Sequence, residues 1–162
     1  MHQLGLNSQT KTRKWVQKLK TQFEMERIWM DETELFYQVR LQLHASVCSS
    51  SQEVYMQDET LQELIDSIAG FNNTWGKKPV IWELFDSDAD EQKISLTFTL
   101  IDRTGTIQVD VHIHDEWQHD PFDHFRAAFR FKTTMGQLDD LSAQLKRFIL
   151  REIDHVASLH ER

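Results

Sequence analysis

The feature that most constrains the fold is a long stretch in which apolar and polar residues alternate on both sides of a short turn. The apolar positions are Ile94, Leu96, Phe98 and Leu100 before the turn, and Ile107, Val109, Val111 and Ile113 after it. A period of two predicts strands with one buried face. Because the turn, residues 102–105, ends in a glycine, we predict that the two strands form an antiparallel hairpin.

The rest of the chain mixes strand and helix patterns. Further strands are predicted at residues 37–47, 53–57, 80–85 and 125–132. Asp58 is predicted to cap a first helix, with Gly70 placed to end it. Thr134 and Gln137 form a capping box that predicts the start of a second helix. The pattern predicts an α+β fold with an antiparallel sheet of about five to six strands. A short helix follows the second strand, residues 53–57, and a C-terminal helix packs on the sheet.

The N-terminal segment is basic and carries a helical stripe. Trp15, Leu19 and Phe23 are spaced four residues apart, among five bases and no acid in residues 1–23. This spacing predicts a helix, or a partly ordered arm, over residues 8–28. We therefore divide the chain into a basic helical extension, residues 1–28, and a single α+β domain, residues 29–162. The tail from Arg151 is predicted to continue the last helix weakly.

Composition narrows the class of protein. The 162 residues include one cysteine, Cys48, which excludes an intrachain disulfide and cysteine-rich zinc sites and fits a reducing compartment. No signal-peptide or membrane-spanning pattern is found, so we expect a cytoplasmic location and no membrane span. Because residues 1–23 hold five of the 18 bases, the remainder carries 13 bases against 26 acids. This excess of negative charge outside residues 1–23 disfavours nucleic-acid binding and favours a basic protein partner.

Residues 110–124 hold the densest group of potentially reactive side chains. His112 and His114 are two apart on a predicted strand and therefore share a face, where two imidazoles can bind one metal ion. A cupin-like spacing fails, because Gly105 is one residue too far from His112 and a single residue separates His114 from Glu116. We predict no catalytic, cofactor or metal site. A metal-binding protein or metal-dependent enzyme that uses this histidine pair stays an alternative.

The same segment is also an acidic patch with aromatic anchors. It holds five acids, and no lysine or arginine lies between Arg103 and Arg126. Aromatic side chains anchor protein interfaces, and carboxylates pair with the bases of a partner. The predicted partner-binding residues are Asp115, Glu116, Trp117, Asp120 and Asp123.

The order of predicted elements and three segments carry a family resemblance. The segments are Leu61–Ile68, Leu96–Val111 and Phe129–Leu141. They resemble a bacterial family of immunity proteins that neutralise polymorphic, contact-delivered toxins, the group typified by the immunity partner of the wall-associated protein A toxin. The resemblance implies a cytoplasmic, non-catalytic inhibitor that closes a toxin's active site or substrate surface. Because an acidic inhibitor suits a basic nucleic-acid groove, a nuclease is the favoured target. An adaptor or scaffold subunit docked through the N-terminal segment is a further alternative.

Overall fold

The computed structural model describes residues 20–85, 92–116 and 124–160. Within them the chain forms eight strands and two helices, which confirms the predicted α+β class. In chain order these are β1 (Thr21–Met30), β2 (Tyr37–His44), β3 (Ser49–Met56), α1 (Asp58–Asn73), β4 (Val80–Phe85), β5 (Gln92–Leu100), β6 (Thr106–Glu116), β7 (His124–Thr134), α2 (Met135–Ile149) and β8 (His155–His160). Among the described residues, neither helix has the length and apolar character needed to cross a membrane.

The strands form two antiparallel sheets of four strands each. Sheet A has the order β3-β2-β1-β8, and sheet B has the order β4-β5-β6-β7. The prediction of one sheet with five to six strands is therefore wrong in detail. The two extra strands, β1 and β8, come from segments whose local spacing indicated helix. The predicted hairpin is confirmed, since β5 and β6 pair in register from Gln92 opposite Asp115 to Leu100 opposite Ile107.

The helix predicted over residues 8–28 is wrong from Thr21 onward. There β1 pairs with β2 on one side and with β8 on the other. Phe23 and Met25 are fully buried, as alternation in a strand requires. Phe23 fits both the helical stripe and this alternation, and the partner strands decide between them. The strand also passes residue 28, where the predicted extension ends; residues 8–19 lie outside the described part of the chain.

The tail after α2 is a strand and not a continuation of the helix. Arg151 has a left-handed backbone conformation, with φ of 63°, which ends the helical path. β8 then pairs with β1, and Val156 and Leu159 are fully buried. This pairing joins segments near the two ends of the described chain. The spacing of apolar residues in the tail therefore could not predict it.

Both helices bury one face against the sheets. The buried residues of α1 are Leu61, Leu64, Ile65, Ile68 and Phe71, and those of α2 are Met135, Leu138, Leu141, Ser142, Leu145 and Phe148. The N-cap of α2 is confirmed, since the Thr134 hydroxyl accepts a hydrogen bond from the Gln137 backbone N–H at 3.3 Å. The stop at Gly70 is wrong, because α1 continues to Asn73 and so adds Phe71 to its buried face.

Candidate binding surface

The structure describes two of the five predicted partner-binding residues. Asp115 lies near the end of β6 on the core side of sheet B, two residues after the buried Ile113. Its carboxylate accepts a hydrogen bond from the Gln92 side-chain amide at 3.4 Å. Glu116 is the last residue of β6, where its backbone pairs with His124. The other three predicted residues, Trp117, Asp120 and Asp123, lie outside the described part of the chain.

Gln92 connects Asp115 with the edge of sheet A. The same side-chain amide lies 3.3 Å from the Gln52 side-chain oxygen and 3.4 Å from the Glu53 carbonyl oxygen. Gln52 and Glu53 belong to β3, the edge strand of sheet A. The first predicted contact residue is therefore next to that edge.

The predicted histidine pair shares the outer face of sheet B, the side away from the helices. His112 is exposed and His114 is half-buried, while their neighbours Val111 and Ile113 face the core. Among the residues that the structure describes, no group of three or more histidines, cysteines and carboxylates is placed to hold a metal ion. The described chain thus adds no third metal ligand to this pair.

A bulge in β1 creates a surface that sequence reasoning missed. Arg27 pairs with Val39, but Trp29 pairs with Gln38, so Ile28 is an extra residue in β1. One extra residue reverses the alternation of side chains that follow it. The bulge therefore leaves Arg27 on the core side and turns Trp29 to the outer face of sheet A, beside Gln38.

Three aromatic rings contact one another on this outer face. The ring centroid of Trp29 lies 5.5 Å from that of Phe36 and 6.3 Å from that of Tyr55, and the last two are 6.4 Å apart. The side chains are 47%, 40% and 55% exposed, in the order Trp29, Phe36, Tyr55. Contiguous exposed apolar groups mark interaction sites, and aromatic residues are frequent anchors in them. The rings come from β1, the β1–β2 turn and β3, so no local motif identifies the cluster.

Carboxylates border the aromatic cluster. Glu26 and Glu53 flank Arg40, whose guanidinium lies 3.5 Å from the first carboxylate and 3.2 Å from the second. The β1–β2 turn adds the exposed Glu32 and Glu34. One arginine cannot neutralise these groups, so the surface is negative. The rings and the two carboxylates on the strands form what we call the acidic aromatic face: Trp29, Phe36, Tyr55, Glu26 and Glu53.

A buried polar cluster supports this face from the core side. The Arg27 guanidinium lies 4.0 Å from the Phe148 ring centroid and 5.0 Å from that of Tyr37. The Tyr37 hydroxyl donates a hydrogen bond to Asp58 at 3.1 Å. Burial, and next the charge of Asp58, raise the pKa of Tyr37 well above its ordinary value. Asp154 pairs with Arg27, so this arginine has both an ionic and two aromatic partners. The cluster is therefore suited to holding strands and helices together.

The fold and this face define an α+β protein of two antiparallel sheets with an exposed acidic and aromatic surface. Comparison with known proteins adds no family name, since the chain matches no protein-family model and no curated protein.

Proposed function

We propose that this chain is a cytoplasmic binding protein that neutralises a basic toxin, as the immunity proteins it resembles do, and that it binds through the acidic aromatic face. The observation that carries the proposal is the cluster of three contacting, half-exposed rings next to carboxylates. Covering apolar surface gains about 25 cal/mol per Å². A partner that covers these rings therefore gains affinity from groups that are already held in place.

The charge of the face specifies the partner. Glu26 and Glu53 can pair with arginine or lysine side chains, and opposite charges speed encounter. Asp115 lies next to β3 through Gln92, so the contact segment predicted from the sequence starts near the strand that carries Tyr55 and Glu53, although on its core side. A toxin whose nucleic-acid groove is basic fits this chemistry, and a nuclease is the favoured target.

Inhibition by this route requires no reaction. A rigid negative surface that covers a basic groove excludes the nucleic-acid substrate from it. The β1 bulge and the buried cluster around Arg27 and Tyr37 hold the face before binding, which lowers the entropy cost of association.

Co-expression with a candidate toxin, chosen from the genes that neighbour this chain's gene, tests the proposal. We expect wild type to restore growth and to bind the toxin in calorimetry. The double variant Trp29→Ala/Tyr55→Ala should bind about 30-fold more weakly or worse, as loss of interface anchors predicts. The matched control is Ile81→Ala, which removes a side chain 59% exposed on β4 of sheet B, and it should bind as wild type does.

The other outcomes separate the function from the surface. Absence of binding and of protection by wild type rejects the immunity function. Wild-type affinity in the folded Trp29/Tyr55 double variant rejects the acidic aromatic face. In that case, loss of binding in Asp115→Lys/Asp120→Lys would assign contact to the segment predicted from the sequence.

A further inference from the structure

The fold holds its own buried arginines by combining an aromatic ring with a carboxylate. Two guanidinium groups lie over the Tyr37 ring, that of Arg27 at 5.0 Å from the ring centroid and that of Arg151 at 5.3 Å. Arg27 also pairs with Asp154, and Arg151 pairs with Asp58. The ring attracts a cation within about 6 Å of its centroid, and the carboxylate accepts charge-assisted hydrogen bonds. A ring beside a carboxylate is therefore sufficient to hold a guanidinium group in this protein.

The acidic aromatic face presents the same two components on the surface. Trp29, Gln38 and Tyr55 are aligned across β1, β2 and β3, and the neighbouring row across these strands contains Glu26 and Glu53. The second row follows two residues along β2 and β3, about 7 Å away. Among the residues that the structure describes, no lysine or arginine lies over any of the three rings of this face. The rings are therefore open to a cation from outside.

Both carboxylates of the face can accept further hydrogen bonds, although Arg40 lies between them. Its guanidinium is 3.5 Å from Glu26 and 3.2 Å from Glu53, through a different nitrogen in each case. A carboxylate offers about four acceptor positions. The side chains of Glu26 and Glu53 are 53% and 51% exposed, so the positions that Arg40 leaves open face solvent.

The charge of this region is negative when every described charged side chain is counted. Arg151 reaches the β1–β2 turn through the Glu34 carbonyl, and Asp58 balances its charge. The carboxylates outnumber the remaining guanidinium and the two imidazoles taken together, so the region stays negative even when both imidazoles are protonated. The side chains counted on the outer face of sheet A and in the turn are Glu24, Glu26, Asp31, Glu32, Glu34 and Glu53, with Arg40, His44 and His155.

We propose that the acidic aromatic face binds an arginine side chain of its protein partner, with the guanidinium over the exposed rings and hydrogen-bonded to the neighbouring carboxylates. The assignment rests on the proposed function and specifies the residue that anchors the partner. Arginine fits better than lysine, because its planar and weakly hydrated guanidinium stacks on rings and donates two parallel hydrogen bonds. The Phe36 backbone N–H donates to Asp31 at 3.2 Å, which helps to hold that ring in place before binding.

Titration of the full chain with short capped peptides tests the assignment. The peptides carry arginine, lysine or citrulline, the neutral isostere of arginine, between glycines. The indole N–H signal of Trp29, assigned by its loss in Trp29→Leu, is followed by NMR at low ionic strength, because salt screens exposed charges. We expect a saturable shift with the arginine peptide, binding of the lysine peptide about threefold weaker or worse, and no saturable shift with the citrulline peptide.

Variants separate the ring from the carboxylate. Amide signals of β1–β3 report binding in these proteins. Trp29→Leu should weaken the arginine peptide about threefold, the loss expected for a cation–π contact at an exposed site, and Glu53→Gln should weaken it by a similar factor. The matched controls are Trp75→Leu, a ring 55% exposed outside this face, and Glu63→Gln, an exposed carboxylate of α1. Both should bind the peptide as wild type does. If Trp29→Leu fails to fold, Tyr55→Leu replaces it.

Three results would overturn the assignment: no saturable shift with the arginine peptide, equal affinity for the arginine and lysine peptides, or wild-type affinity in the folded ring variant. Each leaves the proposed function in place if wild type still binds and neutralises the candidate toxin. Conversely, selective binding of the arginine peptide without binding of any candidate toxin would reject the immunity function and retain the arginine site.

Discussion

Arg151 and Asp58 form a bidentate ion pair although 93 residues separate them in the chain, with N–O distances of 2.9 and 3.2 Å. Asp58 begins α1 and Arg151 follows α2, so the pair ties the start of one helix to the end of the other. Arg151 also donates to the Glu34 carbonyl at 3.2 Å. That bond fixes the turn that carries Phe36, one ring of the acidic aromatic face.

Removing this arginine should destabilise the fold. We predict that Arg151→Ala lowers the free energy of unfolding by about 1–3 kcal/mol, because it leaves partly buried acceptors without their donor. Urea unfolding at neutral pH measures the change. Arg147→Ala is the matched control, since its pair with Glu152 is 57% and 52% exposed, and its cost should stay within about 1 kcal/mol. Equal losses in the two variants would contradict the role of the bidentate pair.

The buried hydroxyl of Tyr37 should make stability fall at high pH. Burial and the Asp58 carboxylate raise the pKa of Tyr37 in the folded state. The stability that the protonated hydroxyl contributes is fully present below the pKa of tyrosine in the unfolded chain, about 10. It is lost as the pH rises from there through the higher pKa of the folded state. Tyr37→Phe removes the titrating group, so its unfolding free energy should decline less steeply than that of wild type above about pH 10. Urea unfolding across this pH range measures the difference. Equal slopes of unfolding free energy against pH in the two proteins would contradict the prediction.

Replacing each of two glycines by alanine should change the stability of the fold in opposite directions. Gly76 has φ of 61°, and an added Cβ would lie 2.7 Å from the Leu100 Cβ and 3.0 Å from the Phe71 ring. Gly76→Ala should therefore cost more than about 1 kcal/mol. Gly70 lies inside α1 with no atom near its Cβ position, so Gly70→Ala should stabilise by about 0.5–1 kcal/mol. Thermal unfolding of both variants tests the pair, and a shift in the same direction would refute it.

Gln144 should prove important for the attachment of β8. Its side-chain amide accepts from the Ala157 N–H at 3.0 Å and donates to the Ala157 carbonyl at 2.8 Å. It thereby occupies backbone groups on an edge strand that would otherwise invite pairing with another chain. Gln144→Ala should lower the unfolding free energy by about 1–3 kcal/mol and speed amide exchange in β8. Gln62→Ala, which removes only an exposed bond to Asp66, serves as the control and should leave β8 exchange unchanged.

Local sequence patterns predicted the elements that are stabilised by their neighbours in the chain. The β5–β6 hairpin needs only alternation and a short turn, and both helices carry a complete apolar stripe. The Thr134 cap likewise depends on a residue three positions away. For these elements the hydrophobic period and the hydrogen-bond partner lie within one short window, so reading the sequence was sufficient.

The candidate face shows why reading a local pattern was insufficient elsewhere. Trp29 faces outward only because Ile28 is an extra residue in the pairing of β1 with β2. Phe36 and Tyr55 reach it through the β1–β2 turn and the pairing of β2 with β3. The acidic segment was visible as composition, but the position of Asp115 beside β3 depends on a contact made by Gln92.

The sequence by itself determined the α+β class, both helices and the central hairpin, because each depends on short-range periodicity and capping. The tertiary structure alone decided that Phe23 belongs to a strand, that the chain's end returns as β8, and which side chains form each outer face. Those outcomes depend on backbone hydrogen bonds between segments far apart in the chain. A short segment of sequence does not show the free energy of such pairing. That free energy can therefore outweigh a helical spacing within the segment.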